Sequence, residues 1–324
     1  MPVSVAVACA NFALCKYWGK SDPDRNLPAV PSLSMTVDAL RTRTNVELLE
    51  GQGEDRIVID GRPATGEAAR RVTVHLDRLG RIAGVRPRMA VTSDSTFAAA
   101  AGLASSASAF AALTAAAARA VGLDLGADAL SDLARQASAS AARSVHGGFV
   151  ELPAAPSGTD FLAAHPVPVA SGLELGMSIL ITSESPKSVG SRDGMTRTAA
   201  TSPYHEAWVR QAPAELVSAR AALASGDLGE LGAVMERSAL RMHASAMAAD
   251  PGLLYWNAAT VEAIHAVRRL REGGVEAYFT VDAGPNVKVL HRRVDSERVR
   301  AALGAVAGVL RIIEAGVGQG VEVA

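Results

Sequence analysis

The chain has 324 residues, 49% of them hydrophobic, and a formal net charge of −1. That length supplies a sizeable buried core and more than one domain. The charge balance excludes a bulk nucleic-acid or membrane-surface binder, which carries a basic excess or stripe, and no apolar run reaches the ~18–20 residues that cross a bilayer.

Alternation at period two predicts a strand over 3–14, not the basic start and apolar centre of a signal peptide. Cys9 and Cys15 lie on that strand; at a rise of roughly 3.3 Å per residue they stand too far apart to pair. A reducing cytoplasm is expected. Strands follow over 32–37, 44–49 and 56–60, the last before a Gly61-Arg62-Pro63 turn. Val72, Leu76 and Leu79 share one face of a helix over 67–82. A short strand over 89–92 precedes an Ala-rich helix over 103–121 and another helix over 128–140. Gly147 and Gly148 turn the chain into a strand that ends at Leu152. Four prolines in 153–172 mark loop composition and a domain boundary.

The second half opens with a strand over 175–182 and a polar loop over 183–197. Long helices fill 205–272. A β-hairpin over 275–281 and 287–290 encloses Asp282-Ala-Gly-Pro-Asn286, whose Gly-Pro-Asn is strong turn chemistry. A helix over 296–306 and strands over 310–313 and 321–323 close the chain. The pattern is α+β in two domains, 1–172 and 173–324.

One loop and four segments carry chemistry. Residues 98–108, Ala-Ala-Ala-Ala-Gly-Leu-Ala-Ser-Ser-Ala-Ser, run straight into a helix. A helix N-terminus offers free N–H groups and partial positive charge, small residues let phosphate approach, and Ser105, Ser106 and Ser108 add hydroxyls. It is no Walker loop, since no Gly-Lys-Ser/Thr follows; close helix packing explains the composition equally well. Asn11 to Lys20 ends a strand with Lys16 and Lys20 around Tyr17 and Trp18, either a grip for a phosphorylated ligand or a solvated strand end. Ser138, Ser140 and Arg143 precede paired glycines, either an anion clamp or a helix C-terminus. Lys187, Ser191 and Arg192 lie in a charged loop able to close over an anion. Asp282, at the end of an apolar strand, is a positioned base or a turn cap.

Taken together, Lys16-Tyr-Trp-Gly-Lys20, Ser32-Leu-Ser34, Ala101-Gly-Leu-Ala-Ser-Ser106, Arg143-Ser, Gly147-Gly-Phe149, Gly194-Met195, Leu240-Arg-Met-His243 and Asp282-Ala-Gly-Pro-Asn286 resemble the mevalonate diphosphate decarboxylases of the GHMP kinase superfamily. The resemblance covers essentially the whole chain. It implies a ribosomal protein S5 domain 2-like N-terminal domain, a C-terminal α/β sandwich and an active site in the cleft between them. It implies conversion of mevalonate 5-diphosphate and ATP, with Mg²⁺, to isopentenyl diphosphate, ADP, phosphate and CO2. No separate electron-sink cofactor is needed, since the leaving phosphate takes the electrons.

Residue by residue, the resemblance makes Asp282 base or orienter of the 3-hydroxyl, Lys16 its cationic neighbour, Arg143 the holder of the substrate carboxylate, and Asn11 a neighbour of the reacting centre. Tyr17, Lys20, Ser138, Ser140, Ser191, Arg192 and Met195 would hold the diphosphate end. Ala101, Gly102, Leu103, Ala104, Ser105, Ser106 and Ser108 would cradle the ATP phosphates, with Ser105 or Ser106 near Mg²⁺. A cytoplasmic homodimer is implied too. The chain departs from the family at Ala98-Ala99, where Pro-Thr is usual, at Val30-Pro31, at Ala137 and Ala139, and at Asp193, whose carboxylate would repel phosphate or neutralise Arg192. Related readings are a mevalonate 5-phosphate decarboxylase, a GHMP-type small-molecule kinase, and a non-catalytic phosphate-ligand sensor.

Overall fold

The computed structural model describes residues 3–51, 53–97 and 105–324. In chain order they form β1 (Ser4–Cys15), β2 (Lys20–Asp22), β3 (Leu27–Pro28), β4 (Ser32–Leu49), β5 (Arg56–Ile59), β6 (Arg62–Pro63), α1 (Gly66–Ala83), β7 (Arg88–Ser95), α2 (Ser105–Ala120), α3 (Ala127–Ala137), α4 (Ala141–Ser144), β8 (Phe149–Leu152) and β9 (His165–Pro166). The rest comprises β10 (Leu175–Ile181), α5 (Ser191–Thr201), α6 (His205–Ser225), α7 (Leu228–Met247), α8 (Ala258–Glu272), β11 (Ala277–Val281), β12 (Val287–Arg292), α9 (Ser296–Gly304), β13 (Arg311–Ala315) and β14 (Glu322–Val323).

Two sheets carry the fold, and the α+β reading holds. The larger runs β14-β1-β4-β7-β5-β6, with β8 beside β4 and β9 beside β8; the smaller runs β11-β12-β10-β13. β1 alternates in burial over its first four residues and is buried throughout from Ala8 to Cys15. The change marks where the sheet gains a second cover: α2 lies against β1 from one half of the chain, α7 and α6 from the other. Cys9 and Cys15 are both buried free thiols.

A single core joins the halves. Phe12, Leu14, Leu33 and Met35 of the larger sheet pack with Met177, Ile179 and Leu290 of the smaller sheet and with Leu216, Leu223 and Met235 of the helices. A second cluster fills the space between α1, α2 and the larger sheet, where the small alanines of α2 let the helix nest closely. Gly84, at φ 69°, ends α1 in the left-handed conformation.

Four expectations need correction. The strands expected over 32–37 and 44–49 are one 18-residue strand. Its pairing with β1 jumps from Cys9↔Arg41 to Asn11↔Thr36, so 37–40 form an irregular bend. That bend is held from outside the strand, with Asp38 and Gly316 exchanging hydrogen bonds and Val37 bridging Val317. The helix expected to reach Ser140 stops at Ala137, because Ser138 turns extended at φ −156° and ψ 118°. Arg143 is therefore on its own helical turn, α4, rather than after a helix. The charged loop becomes helical at Ser191, behind an extended Gly190.

Candidate active site

A cavity of about 540 Å³ opens between the two sheets. The end of β1 supplies Asn11, Lys16 and Tyr17; the β2 strand supplies Lys20; the α3–α4 break supplies Ser138 and Ser140; α4 supplies Arg143; α5 supplies Ser191, Arg192 and Met195; the β11–β12 turn supplies Asp282. Ser105 and Ser106, the first residues of α2, also line it. Chain segments far apart in sequence thus bring these candidates to one wall. Among the described residues the wall carries six cationic side chains, Lys16, Lys20, Arg71, Arg143, Lys187 and Arg192, against one carboxylate, that of Asp282. The N-termini of α2 and α5 add partial positive charge to the same space.

Asp282 is the last side chain before a tight turn, in which Gly284 N–H bonds back to the Asp282 carbonyl at 2.7 Å. The turn is pinned to β10: Asn286 Oδ1 accepts the N–H groups of Thr182 and Ser183 at 2.8 and 3.2 Å. The Asp282 side chain keeps 25% exposure, whereas Lys16 and Lys288 beside it keep 2% and 1%. Lys16 Nζ stands 2.5 Å from Oδ1, and Lys288 Nζ 3.2 Å from Oδ2. Burial pushes the Asp282 carboxyl up, but the two ammonium groups outweigh it and hold it well below the usual carboxylate range. Burial also lowers Lys16, offset in part by Asp282. α7 steadies both partners: the Ser238 hydroxyl accepts the Lys16 backbone N–H at 3.0 Å, and His243, packed at a tilt against Trp256, bonds the Val281 carbonyl at 3.1 Å.

Arg143 is fully covered from the protein side. Its Nε donates to Ser34 and its Nη1 to Ser32, at 3.0 and 2.7 Å. Burial lowers its guanidinium to about 10. Asn11 Nδ2 donates to the Ser140 carbonyl at 3.0 Å and the Ser144 hydroxyl at 2.8 Å, which leaves Oδ1 buried without a partner among the described residues. The Tyr17 hydroxyl is in the same state, and burial pushes that phenol up. Lys20, bonded to Asn26 Oδ1 at 2.6 Å, is brought down to about 8 by burial and by Arg192 and Arg71.

Ser108 does not reach the cavity: it is fully buried, with its hydroxyl 2.7 Å from that of Thr42 in β4. Ala101, Gly102, Leu103 and Ala104, with the departures at Ala98 and Ala99, lie outside the described residues. Asp193 is exposed and off the cavity wall; the carboxylate near Arg192 is Glu67 of α1, 3.8 Å away. His146 is half-buried and not on the wall.

The sequence did not disclose Lys288, Arg71 or Asn26, whereas Lys187, expected in a loop able to close over an anion, does line the cavity. A lone lysine between valines in an apolar strand, Val287-Lys-Val289, was the available signal for Lys288. Arg71 offered none, since it reads as the solvated face of α1. Among the described residues no group of three or more His, Cys, Asp or Glu side chains could hold a metal, and no helix is long and apolar enough to cross a membrane.

Comparison with known proteins bears on this geometry. Residues 8–163 match the diphosphomevalonate decarboxylase-like N-terminal domain, and residues 177–316 the mevalonate 5-diphosphate decarboxylase C-terminal domain. The diphosphomevalonate decarboxylase of Candida albicans is 30% identical, over 97% of this chain and 95% of its own length. A phosphomevalonate decarboxylase of Haloferax volcanii is 32% identical, over 90% and 88%. The solved complex of MDDEF with MVAPP, AMPPCP and magnesium superposes with a TM-score of 0.93 and 35% identity, over 99% of this chain and 98% of that one. The chain with its six-cation cavity and its Lys16–Asp282 pair belongs to the diphosphomevalonate decarboxylase family.

Proposed function

We propose that this chain catalyses the ATP-dependent decarboxylation of mevalonate 5-diphosphate to isopentenyl diphosphate, ADP, phosphate and CO2. The observation that carries the reading is the Lys16–Asp282 pair in a cavity whose other charged lining residues, among those described, are all cations. A sensor of phosphate ligands needs the cations but not the pair.

The tertiary hydroxyl of the substrate is a poor leaving group, so it is first phosphorylated. Its oxygen bonds to the γ-phosphorus of ATP as the bond to ADP breaks. Asp282 orients that hydroxyl, accepts its hydrogen bond and takes up its proton late, as the new P–O bond forms, while Lys16 faces the negative charge that moves across during transfer. The C3–O bond then breaks with its electron pair going to phosphate. The C1–C2 bond breaks next, and its electrons become the C2=C3 double bond as CO2 departs. Arg143, aimed by Ser32 and Ser34, holds the carboxylate until that bond breaks. Lys20, Arg192, Tyr17, Ser138, Ser140 and Ser191 take the diphosphate end, above Met195. The orphaned Asn11 Oδ1 and Tyr17 hydroxyl are the kind of buried polar atoms a bound ligand satisfies.

These residues fit a magnesium nucleotide. Ser105 and Ser106 stand at the start of α2, where a hydroxyl and phosphate oxygens together suit a hard cation. When bound, Mg²⁺ supplies charge neutralisation on the phosphates.

The same proposal covers three coarser matters. The chain divides near 172/173, which falls between the two family matches. It works in the cytoplasm, a reading that two buried free thiols support. It forms a homodimer, which light scattering tests.

The deciding experiment incubates the protein with ATP, Mg²⁺ and either mevalonate 5-diphosphate or mevalonate 5-phosphate, with CO2 and ADP measured together. Equal CO2 and ADP from the diphosphate supports the reading. ADP without CO2 replaces it with a kinase, CO2 from the monophosphate alone replaces the substrate, and neither product replaces it with a binding protein.

A further inference from the structure

Lys288 takes no part in the cavity wall, yet it is the second cation on Asp282. It stands on β12 opposite Thr280 of β11, almost wholly buried. Its ammonium lies 3.2 Å from Asp282 Oδ2, donates to the Asn286 carbonyl at 3.1 Å, and sits 4.7 Å from the centroid of the Phe12 ring. A buried ammonium is tolerated only against a counter-charge and hydrogen-bond acceptors. Here the counter-charge is Asp282. Lys16, on the cavity wall, grips Oδ1. One carboxylate is thus held by its two oxygens from two sides, by Lys16 from the cavity and by Lys288 from behind.

We propose that Lys288 is a positioning residue for the reaction: by holding Oδ2 from behind, it fixes the rotation of the Asp282 carboxylate and aims Oδ1, with Lys16, at the hydroxyl to be phosphorylated. The proposal rests on the decarboxylase reading above. Two consequences follow from the geometry. Lys16, Asp282 and Lys288 together carry one net positive charge, which suits a centre that must receive a phosphoryl group. A carboxylate held by two ammonium groups is also a weak base, so Asp282 orients the hydroxyl more than it removes the proton early. That role is sufficient where phosphoryl transfer is loose and positioning dominates.

The charged and titratable groups that face Asp282 are Lys16 from β1, Lys288 from β12, Lys187 from the β10–α5 loop, Arg143 from α4 and His243 from α7. Burial holds His243 near 3, so it stays neutral across the working range. The lysines and Arg143 therefore set the field on Asp282, and Lys288 is the one among them that no ligand can touch.

Lys288→Met keeps the length of the side chain and its contact with Phe12 while removing the charge. The expected result is a fall in kcat for CO2 release of about tenfold or more, with KM for both substrates moving less than about threefold. The acid limb of kcat against pH moves upward. Lys288→Arg, which keeps the charge, recovers part of kcat and returns the limb toward its original position. Wild-type kcat in Lys288→Met overturns the proposal, and so does a fall in kcat with an unmoved limb, which marks a merely structural role. A second readout needs no turnover. In protein labelled with ¹³C-carboxyl aspartate, the Asp282 resonance is assigned by its loss in Asp282→Asn. It stays at its carboxylate position down to acid unfolding in the wild type and shows a titration step in Lys288→Met. If the wild type releases no CO2 from either mevalonate phosphate, the decarboxylase reading fails while this step still supports the clamp. Its absence overturns the clamp whatever the activity.

Discussion

The Ser32 hydroxyl accepts from Arg143 Nη1 at 2.7 Å, and Ser34, two residues further along the same strand, accepts from Nε at 3.0 Å. Alternate residues of a strand point to one side, so the pair forms a fixed bracket for the guanidinium. Even lowered to about 10, Arg143 stays cationic at neutral pH. Arg143→Gln should therefore cut CO2 release by about 100-fold, the scale of a lost charge-assisted hydrogen bond of roughly 2–3 kcal/mol. Ser32→Ala should cost about 10-fold, the lower end for a hydrogen bond to a charged group, roughly 1.5–3 kcal/mol, since Ser34 still holds the guanidinium. Single-turnover assays that follow ADP and CO2 separately check whether the loss falls mainly on CO2.

Asp282→Asn keeps the shape and removes the charge. It should lower kcat by about 10²–10⁴-fold, the range for a positioned acid–base group. It also strands two buried ammonium groups, which should cost about 3–5 kcal/mol of stability at neutral pH. The pH dependence has a definite sign. Asp282 titrates below its ordinary value of 3.8, so its stabilisation is fully present above that value and is lost as the pH falls toward the lower native one. The melting-temperature gap between wild type and Asp282→Asn should stay constant from neutral pH down to about 4 and narrow only below it. A gap that closes between pH 7 and 5 contradicts this.

Lys20 gives the cavity a titration near neutrality. With its ammonium brought down to about 8, it sheds a proton just above physiological pH and one cation leaves the phosphate end. In kcat/KM, which reports the free enzyme, activity toward the diphosphate substrate should fall through that pH. Lys20→Arg remains charged throughout and should remove this step, while Lys20→Met should lower kcat/KM at every pH. A pH–rate profile of the three proteins is the check.

Glu67 and Arg192 face each other at 3.8 Å with both side chains about half exposed. Such a pair is worth at most about 1 kcal/mol. Glu67→Gln should therefore lower KM for mevalonate diphosphate by no more than about fivefold, by freeing Arg192. Arg192→Ala should raise it by more than that if the guanidinium holds the diphosphate as proposed. Added salt should shrink the Glu67 effect first, because exposed charges are screened most.

What the sequence discloses and what it hides follow from the range of each interaction. Lys16 and Asp282 stand out because lysine–aromatic–glycine and Asp-Ala-Gly-Pro-Asn are local patterns, and the hairpin around Asp282 forms where its turn chemistry says. The break at Ser138 is not local in that sense: a helix-period pattern runs through 138–140, and the tertiary setting overrides it. The single β4 strand is hidden likewise, because what holds its bend is Gly316 and Val317, almost 280 residues later. Ser108 reads as a phosphate hydroxyl beside Ser105 and Ser106, but a helix turns by about 100° per residue, and that rotation carries it to Thr42. Arg71 lies on a helix face that only the far wall of the cavity converts from solvated to functional.

The pairing of β14 with β1, through Ala6↔Val323 and Val7↔Glu322, sets an order on biosynthesis. β1 leaves the ribosome long before β14, which flanks one of its edges. The backbone of Ala324 donates to the Val5 carbonyl, and Gly147 packs against Gly320 so closely that a Cβ would not fit. Until β14 has emerged, that edge of β1 is bare, and until residue 247 has emerged the shared core lacks part of β10, α6 and α7. A nascent chain in that state exposes an unpaired strand and apolar surface, the two hazards that invite wrong association. The Lys16–Asp282 ion pair inherits the same schedule: Lys16 is made early and stays without its counter-charge until residue 282 has emerged.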